Sequence, residues 1–242
     1  MAPVAVEVHR RLGAGAWSDY GIAWNQSFLR LAAAGFGIAA SGVVALVALQ
    51  LGLGWRRWQS PRQPGPLAPS GSDSSGSSRL DAKTQAASAA SSGVTSPGVV
   101  LLAVLPLALF VGWIEELVFR GVLVNDLSQA LPVWAMAIAV SLIFAVSHLV
   151  WDGPAGAPQL PGLASMGAVL LLSRWTAGGS LGLAWGLHAG WVFAIAAIDA
   201  LALLKPGQDG PPWLVGLPDQ PLTGVLPLGL LGLTGVGVWL WG

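Results

Sequence analysis

Long apolar runs set the terms on which this chain can fold. One extends from Ser27 to Gly54, a second starts near Pro97, a third covers Leu131 to Val150, and another runs from Ser180 to Leu204. The last, VLPLGLLGLTGVGVWLW, reaches the C-terminus, and a shorter apolar segment lies at Leu163 to Ser173. A helix needs about 20 apolar residues to cross the hydrocarbon layer of a bilayer. Inside that layer every backbone polar group must be satisfied within the protein, which leaves helices as the simplest solution for such runs. The pattern predicts an all-α, polytopic transmembrane bundle of about six spans. The Leu163–Ser173 segment is barely long enough to cross, so it is expected to be tilted, buried in protein or continued into the loop before it.

Only 9% of the 242 residues are charged, against about 25% in soluble domains, and the mean hydropathy is +0.68. Lys plus Arg equals Asp plus Glu at 11 each. Without a basic excess nothing attracts a nucleic acid, and the partners to expect are membrane lipids. Cysteine is absent, so any chemistry must come from carboxylates, histidines or hydroxyls.

The organisation follows from shifts in composition. Residues 1–26 are fairly polar, with Glu7, Arg10, Arg11 and Asp19. The run at 27–54 is longer than the apolar core of a signal peptide and reads as a retained membrane helix. Trp55, Arg56, Arg57 and Trp58 follow it, side chains that suit the headgroup layer. Residues 55–96 are rich in Pro, Gly and Ser and read as a disordered linker, since such a stretch cannot bury enough apolar surface to order itself. The core is expected at 97–204, with a loop and a C-terminal membrane helix at 205–242. Arg56, Arg57, Arg62, Arg79 and Lys83 favour a cytoplasmic linker by the positive-inside rule. Six spans then place both termini on the opposite side.

The ionisable residues inside the apolar runs carry the functional signal. Glu115, Glu116 and Arg120 fall where the second run should still be in or near the bilayer. A charge at the centre of a membrane helix costs about 2.5–3.5 kcal/mol, so these residues require partners, water or a function. Glu116 and Arg120 are four apart and can pair on one helix face, which leaves Glu115 free. Phe144 and His148 stand one turn apart on the third run, and His188 lies deep in LGLAWGLHAGWVFAIAAI. Taken singly, the Glu116–Arg120 pair fits an interfacial salt bridge and His148 fits a headgroup-level histidine. Taken together, three apolar helices each bring an ionisable cluster, and such groups turn inward. Two histidines and a carboxylate are the ligand set of many metal hydrolases and equally the set of a general base with polar stabilisers. Among the remaining polar residues, Asn125 and Asp126 are expected to cap the second helix. Arg174 and Lys205 are read as interfacial anchors, and Asp199 as paired or snorkelling.

These residues resemble a known family. WIEELVFRG at 113–121 resembles the EExxxR motif, FAVSH at 144–148 the FxxxH motif, and LHAGWV at 187–192 the third, histidine-containing motif of the CPBP family. That family comprises intramembrane proteases related to the CAAX prenyl endopeptidase of the Rce1 type and to bacteriocin-immunity proteins. The resemblance implies a four-helix catalytic core and an endopeptidase acting on membrane-associated proteins or peptides. By it, Glu115 activates water with help from His148, His188 stands near the developing oxyanion, Glu116 pairs with Arg120, and Phe144 packs one turn from the site. The third motif is commonly HxxxN, whereas here Val192 takes the fourth position, which removes an amide donor worth about 3 kcal/mol to an oxyanion. The resemblance leaves two versions open. In one, Glu115, His148 and His188 hold a Zn²⁺ with a free position for water; in the other, Glu115 works without a metal. Two non-proteolytic readings stand beside these: a membrane scaffold or immunity-type protein, and a carboxylate-based transporter.

Overall fold

The computed structural model describes residues 6–8, 10–11, 16–59, 96–204, 210–217 and 220–242. Among these the chain is helical without a strand, and two isolated backbone bridges, Trp58 with Leu204 and Leu217 with Gln220, are its only β-type pairings. Most of the predicted linker, together with Lys205, lies outside the described residues.

Six apolar helices build the bundle. Helix α1 is Gln26–Gly52, α2 is Pro97–Ser128, α3 is Val133–Ser147, α4 is Leu160–Thr176, α5 is Gly182–Ala200 and α6 is Val225–Trp241. Local chemistry fixes where the first two begin. The Asn25 side chain accepts from the Phe28 N–H at 2.9 Å, and Ser96 caps α2 just before Pro97, whose missing N–H costs nothing at a first helical position. Helices α1, α2, α5 and the stretch Pro154–Thr176 are long and apolar enough to cross a membrane, while α3 and α6 are shorter. The protein is an all-α polytopic membrane bundle.

The third and fourth spans are each pieced together from a helix and an adjoining turn. The short segment Leu163–Ser173 is the middle of α4, which is extended at its start by a 3-10 turn over Pro154–Gln159. Proline is tolerated in an opening turn, so Pro154, Pro158 and Pro161 do not stop this helix as they would stop an interior. Helix α3, read as a run to Val150, is regular to Ser147 and continues through His148, itself in a helical conformation, into a helical turn over Leu149–Asp152.

Contacts at the helix ends give the topology. Asn125 donates to the Asp19 carbonyl at 2.7 Å, the Leu181 N–H donates to the Gly21 carbonyl at 2.8 Å, and Gly242 lies against Thr176. The starts of α1, α3 and α5 and the ends of α2, α4 and α6 thus share one face of the bundle. At the other face Gln59 donates to the Leu203 carbonyl at 2.8 Å, Gly210 lies against Trp55, and Gln220 donates to the Ala155 carbonyl at 2.7 Å. Successive helices alternate in direction.

The closest packing joins α1 to α5. A Cβ placed on Gly182, Gly186 or Gly190 would stand 2.6, 2.0 or 2.6 Å from the carbonyl oxygens of Phe28, Ala32 and Phe36. Where lipid is as apolar as leucine, helix association rests on such backbone approach and on van der Waals contact. The amino-terminal helix is therefore built into the bundle along the length of α5. Trp24, Phe28, Trp113 and Trp185 close this seam near one face, with neighbouring ring centroids 5.0–6.3 Å apart. The Trp185 Nε1–H also donates to the Leu109 carbonyl at 2.9 Å.

Candidate active site

The acidic pair ends the first α-helical stretch of α2, the next seven residues, Leu117–Leu123, are π-helical, and Val124–Ser128 returns to α-helix. Short π-helical stretches are rare and occur often at functional sites. This one carries Arg120 to the interior, where its side chain is fully buried. Arg120 Nη1 donates to Glu116 Oε1 at 2.9 Å and Nη2 to the Gly167 carbonyl at 3.1 Å. The guanidinium carbon lies 4.3 Å from the Phe144 ring centroid, a cation–π contact of about 2 kcal/mol when desolvated. One arginine therefore binds α2 to α3 and α4. Gly167 permits this because a Cβ there would press on Ser141 and Phe144 at 3.1–3.3 Å.

His188 arrives from α5, with 2% of its side chain exposed. Its Nδ1 lies 2.8 Å from Glu116 Oε1, the same oxygen that accepts from Arg120, and its Nε2 lies 3.7 Å from Glu115 Oε2. The two helices come close enough because Gly112 has only hydrogen on the side facing Ala189. Glu116 is fully buried, whereas Glu115 keeps 26% of its side chain exposed. Glu115 Oε2 is itself buried and has no hydrogen-bond partner. One carboxylate is thus tied through one oxygen to a cation and a histidine, its Oε2 being buried without a partner, and the other stands untied at the partly exposed edge of the same cluster.

Phe144 is the hub. Its ring meets those of Phe119, His148 and His188 edge-on, at centroid separations of 5.2, 4.7 and 5.8 Å. His148 Nδ1 lies 2.9 Å from the Phe144 carbonyl. A carbonyl only accepts, so that nitrogen carries the proton and a neutral His148 has its lone pair on Nε2. Val192, half-buried in the turn after His188, brings only hydrocarbon. An apolar recess of about 300 Å³ between α1, α2 and α5, lined by Ala32, Phe36, Leu105, Leu109 and Trp185, contains none of these ionisable groups.

The zinc alternative meets this geometry only in part. Both histidines have Nδ1 occupied, which is how metal-bound histidines are usually anchored. Yet no group of three His, Cys, Asp or Glu side chains among the described residues lies together closely enough to hold a metal ion. Glu115 and His188 face each other, and His148 reaches the cluster through the Phe144 ring.

Two polar residues differ from their sequence reading. Asn125 is no cap: its amide donates to the Asp19 carbonyl and its oxygen accepts from Arg174 Nη2 at 3.0 Å. Arg174 is no interfacial anchor, for it is 6% exposed and donates to the carbonyls of Gly179 and Asp19 as well. Together they lash the segment before α1 onto the ends of α2 and α4. Missed altogether were the Glu116–His188 contact and the α1–α5 seam. The second had a signal, the spacing of Gly182, Gly186 and Gly190 that marks close membrane-helix packing.

A membrane-embedded helical bundle with a buried carboxylate–histidine–arginine cluster is the class that fold and site define. Residues 97–194 match the family model described as Type II CAAX prenyl endopeptidase Rce1-like. The matched stretch runs from the start of α2 to Ala194 in α5 and contains Glu115, Glu116, Arg120, Phe144, His148, His188 and Val192. No curated protein and no solved structure matches the chain. The matched family is one of CAAX-type proteases.

Proposed function

We propose that this protein is an intramembrane endopeptidase that cleaves membrane-associated proteins or peptides with water activated by Glu115. The observation that carries the reading is the contrast between the two adjacent carboxylates. Glu116 is fully buried and its Oε1 is shared by Arg120 and His188, while Glu115 has no cation on it, is 26% exposed and turns an unpartnered Oε2 toward His188. A general base needs an available acceptor within reach of the proton it removes, and Glu115 is the carboxylate of the pair that is both unpaired with a cation and open to an incoming water.

In the proposed step Glu115 takes a proton from water as the water oxygen bonds to the peptide carbonyl carbon, whose oxygen becomes an oxyanion. Collapse breaks the C–N bond, and the proton held by Glu115 passes to the departing nitrogen. His148, half-buried at the end of α3, stands against the Phe144 ring, where it can hold water or substrate. The six alternating helices are read as six spans, with α3 crossing only together with the turns that follow it. Tyr20, Ile22 and Leu181 are buried against Leu117 beside Glu116. That packing closes one end of the bundle and favours a one-sided site over the through-path a transporter needs.

The test is mapping of new protein N-termini in native membranes, comparing wild type, a null strain, and Glu115→Gln or His188→Ala at matched abundance. Specific termini that vanish in the null and in both variants support the reading. Termini unchanged while another phenotype depends on the protein move the scaffold reading ahead.

A further inference from the structure

Resting on the assignment of Glu115 as the base, we infer that Glu116 is a positioning residue for His188: it holds the proton on Nδ1 and turns an unprotonated Nε2 toward Glu115. The sequence assigns Glu116 only to Arg120. In the structure its Oε1 is shared, 2.9 Å from Arg120 Nη1 and 2.8 Å from His188 Nδ1. A carboxylate that already neutralises a buried guanidinium is ionised and accepts only, so the nitrogen facing it is the donor. In the neutral imidazole the lone pair then belongs to Nε2.

The consequence lies at the 3.7 Å separation between His188 Nε2 and Glu115 Oε2. Two acceptors face each other at a distance too long for a direct hydrogen bond. Glu115 Oε2 has no other partner, although it is buried. A group that donates to both satisfies both, and a water molecule with its two O–H bonds is the smallest one. His188 thereby becomes a second acceptor for the water that Glu115 deprotonates, a different role from the oxyanion contact that the family resemblance implies. Arg120 acts one step further back: through Glu116 it fixes the carboxylate, and through Gly167 and Phe144 it fixes the helices that carry the site.

The chain contains three histidines, so ¹⁵N-histidine labelling of the full protein in nanodiscs gives three imidazole pairs, assignable with His9→Gln and His148→Asn. In the wild type the His188 ring should show a pyrrole-type Nδ1 and a pyridine-type Nε2. Protonated Nε2 at His188, in either a neutral or a cationic ring, overturns the inference without any variant of Glu116. Glu116→Gln replaces the ionised acceptor by an amide that donates as readily as it accepts. With the fold and the His148 signals retained, its His188 ring should become a mixture of tautomers, and kcat should fall roughly 10–100-fold while KM stays within about twofold. Wild-type kcat in Glu116→Gln also overturns it. If Glu115→Gln still cleaves, the base assignment fails instead, and the His188 tautomer remains as measured.

Discussion

Replacing Gly186 by alanine tests whether the α1–α5 seam positions the site. A Cβ at Gly186 would lie 2.0 Å from the Ala32 carbonyl oxygen, whereas ordinary contact begins at 3.4 Å. The helices must part by about 1.4 Å at that level. Helix α5 cannot slide the other way, because Gly112 of α2 already lies against Ala189. Overpacking of this kind costs about 1–3 kcal/mol, partly offset by up to about 1 kcal/mol of helix propensity gained over glycine. His188 is two residues away, and a catalytic group misplaced by about 1 Å can lose roughly 100-fold in rate. The matched control is Gly37→Ala in α1, where no atom lies within 4 Å of the added carbon. Melting in detergent, followed by tryptophan fluorescence, and turnover of a cleaved substrate should both fall for Gly186→Ala and hold for Gly37→Ala. Equal melting temperatures and equal rates in the two variants would refute the idea that this seam holds His188 in place.

Three further outcomes follow. Arg120→Met should lower stability by about 3–5 kcal/mol, the cost of leaving a buried partner charge uncompensated, with unfolding in mixed micelles as the readout. Arg174→Gln removes the tie to the Asp19 carbonyl; at about 1–1.5 kcal/mol for the lost bond, amide exchange around Gly21 should quicken roughly tenfold. The hydrogen bonds from Arg10 and Arg11 hold Glu7 down from 4.5 to about 2. Because the bonded carboxyl titrates below its free value, the contribution of this pairing to the amino-terminal turn is whole above 4.5 and lost as pH falls toward about 2. An NMR titration of the Glu7 carboxyl carbon should show that low midpoint, and one near 4.5 would exclude the pairing.

Much of the architecture was legible because membrane helices announce themselves by length and apolarity, and the positions of the ionisable side chains were legible because charge is rare in such runs. The start of α4 was hidden by Pro154, Gly156, Pro158 and Pro161, residues that read as loop yet fit an opening turn. The extent of the third run was legible, since its apolar residues past Ser147 continue as the helical turn Leu149–Asp152. Arg174 looked like a headgroup anchor because its burial depends on carbonyls supplied from residues 19 and 179. Likewise, spacing along α2 makes Arg120 a natural partner for Glu116, but nothing local reveals that His188, 72 positions on, approaches the same oxygen.

The central claim is that Glu115 is the base of a peptidase, and purified protein in liposomes tests it most directly. Wild type and Glu115→Gln would each be incubated with a library of membrane-anchored peptides, and the products read by mass spectrometry. The account predicts discrete cleavage by wild type, loss of roughly 100-fold or more in Glu115→Gln, and unchanged folding of the variant. Equal cleavage by the two proteins, with the same products, would contradict it.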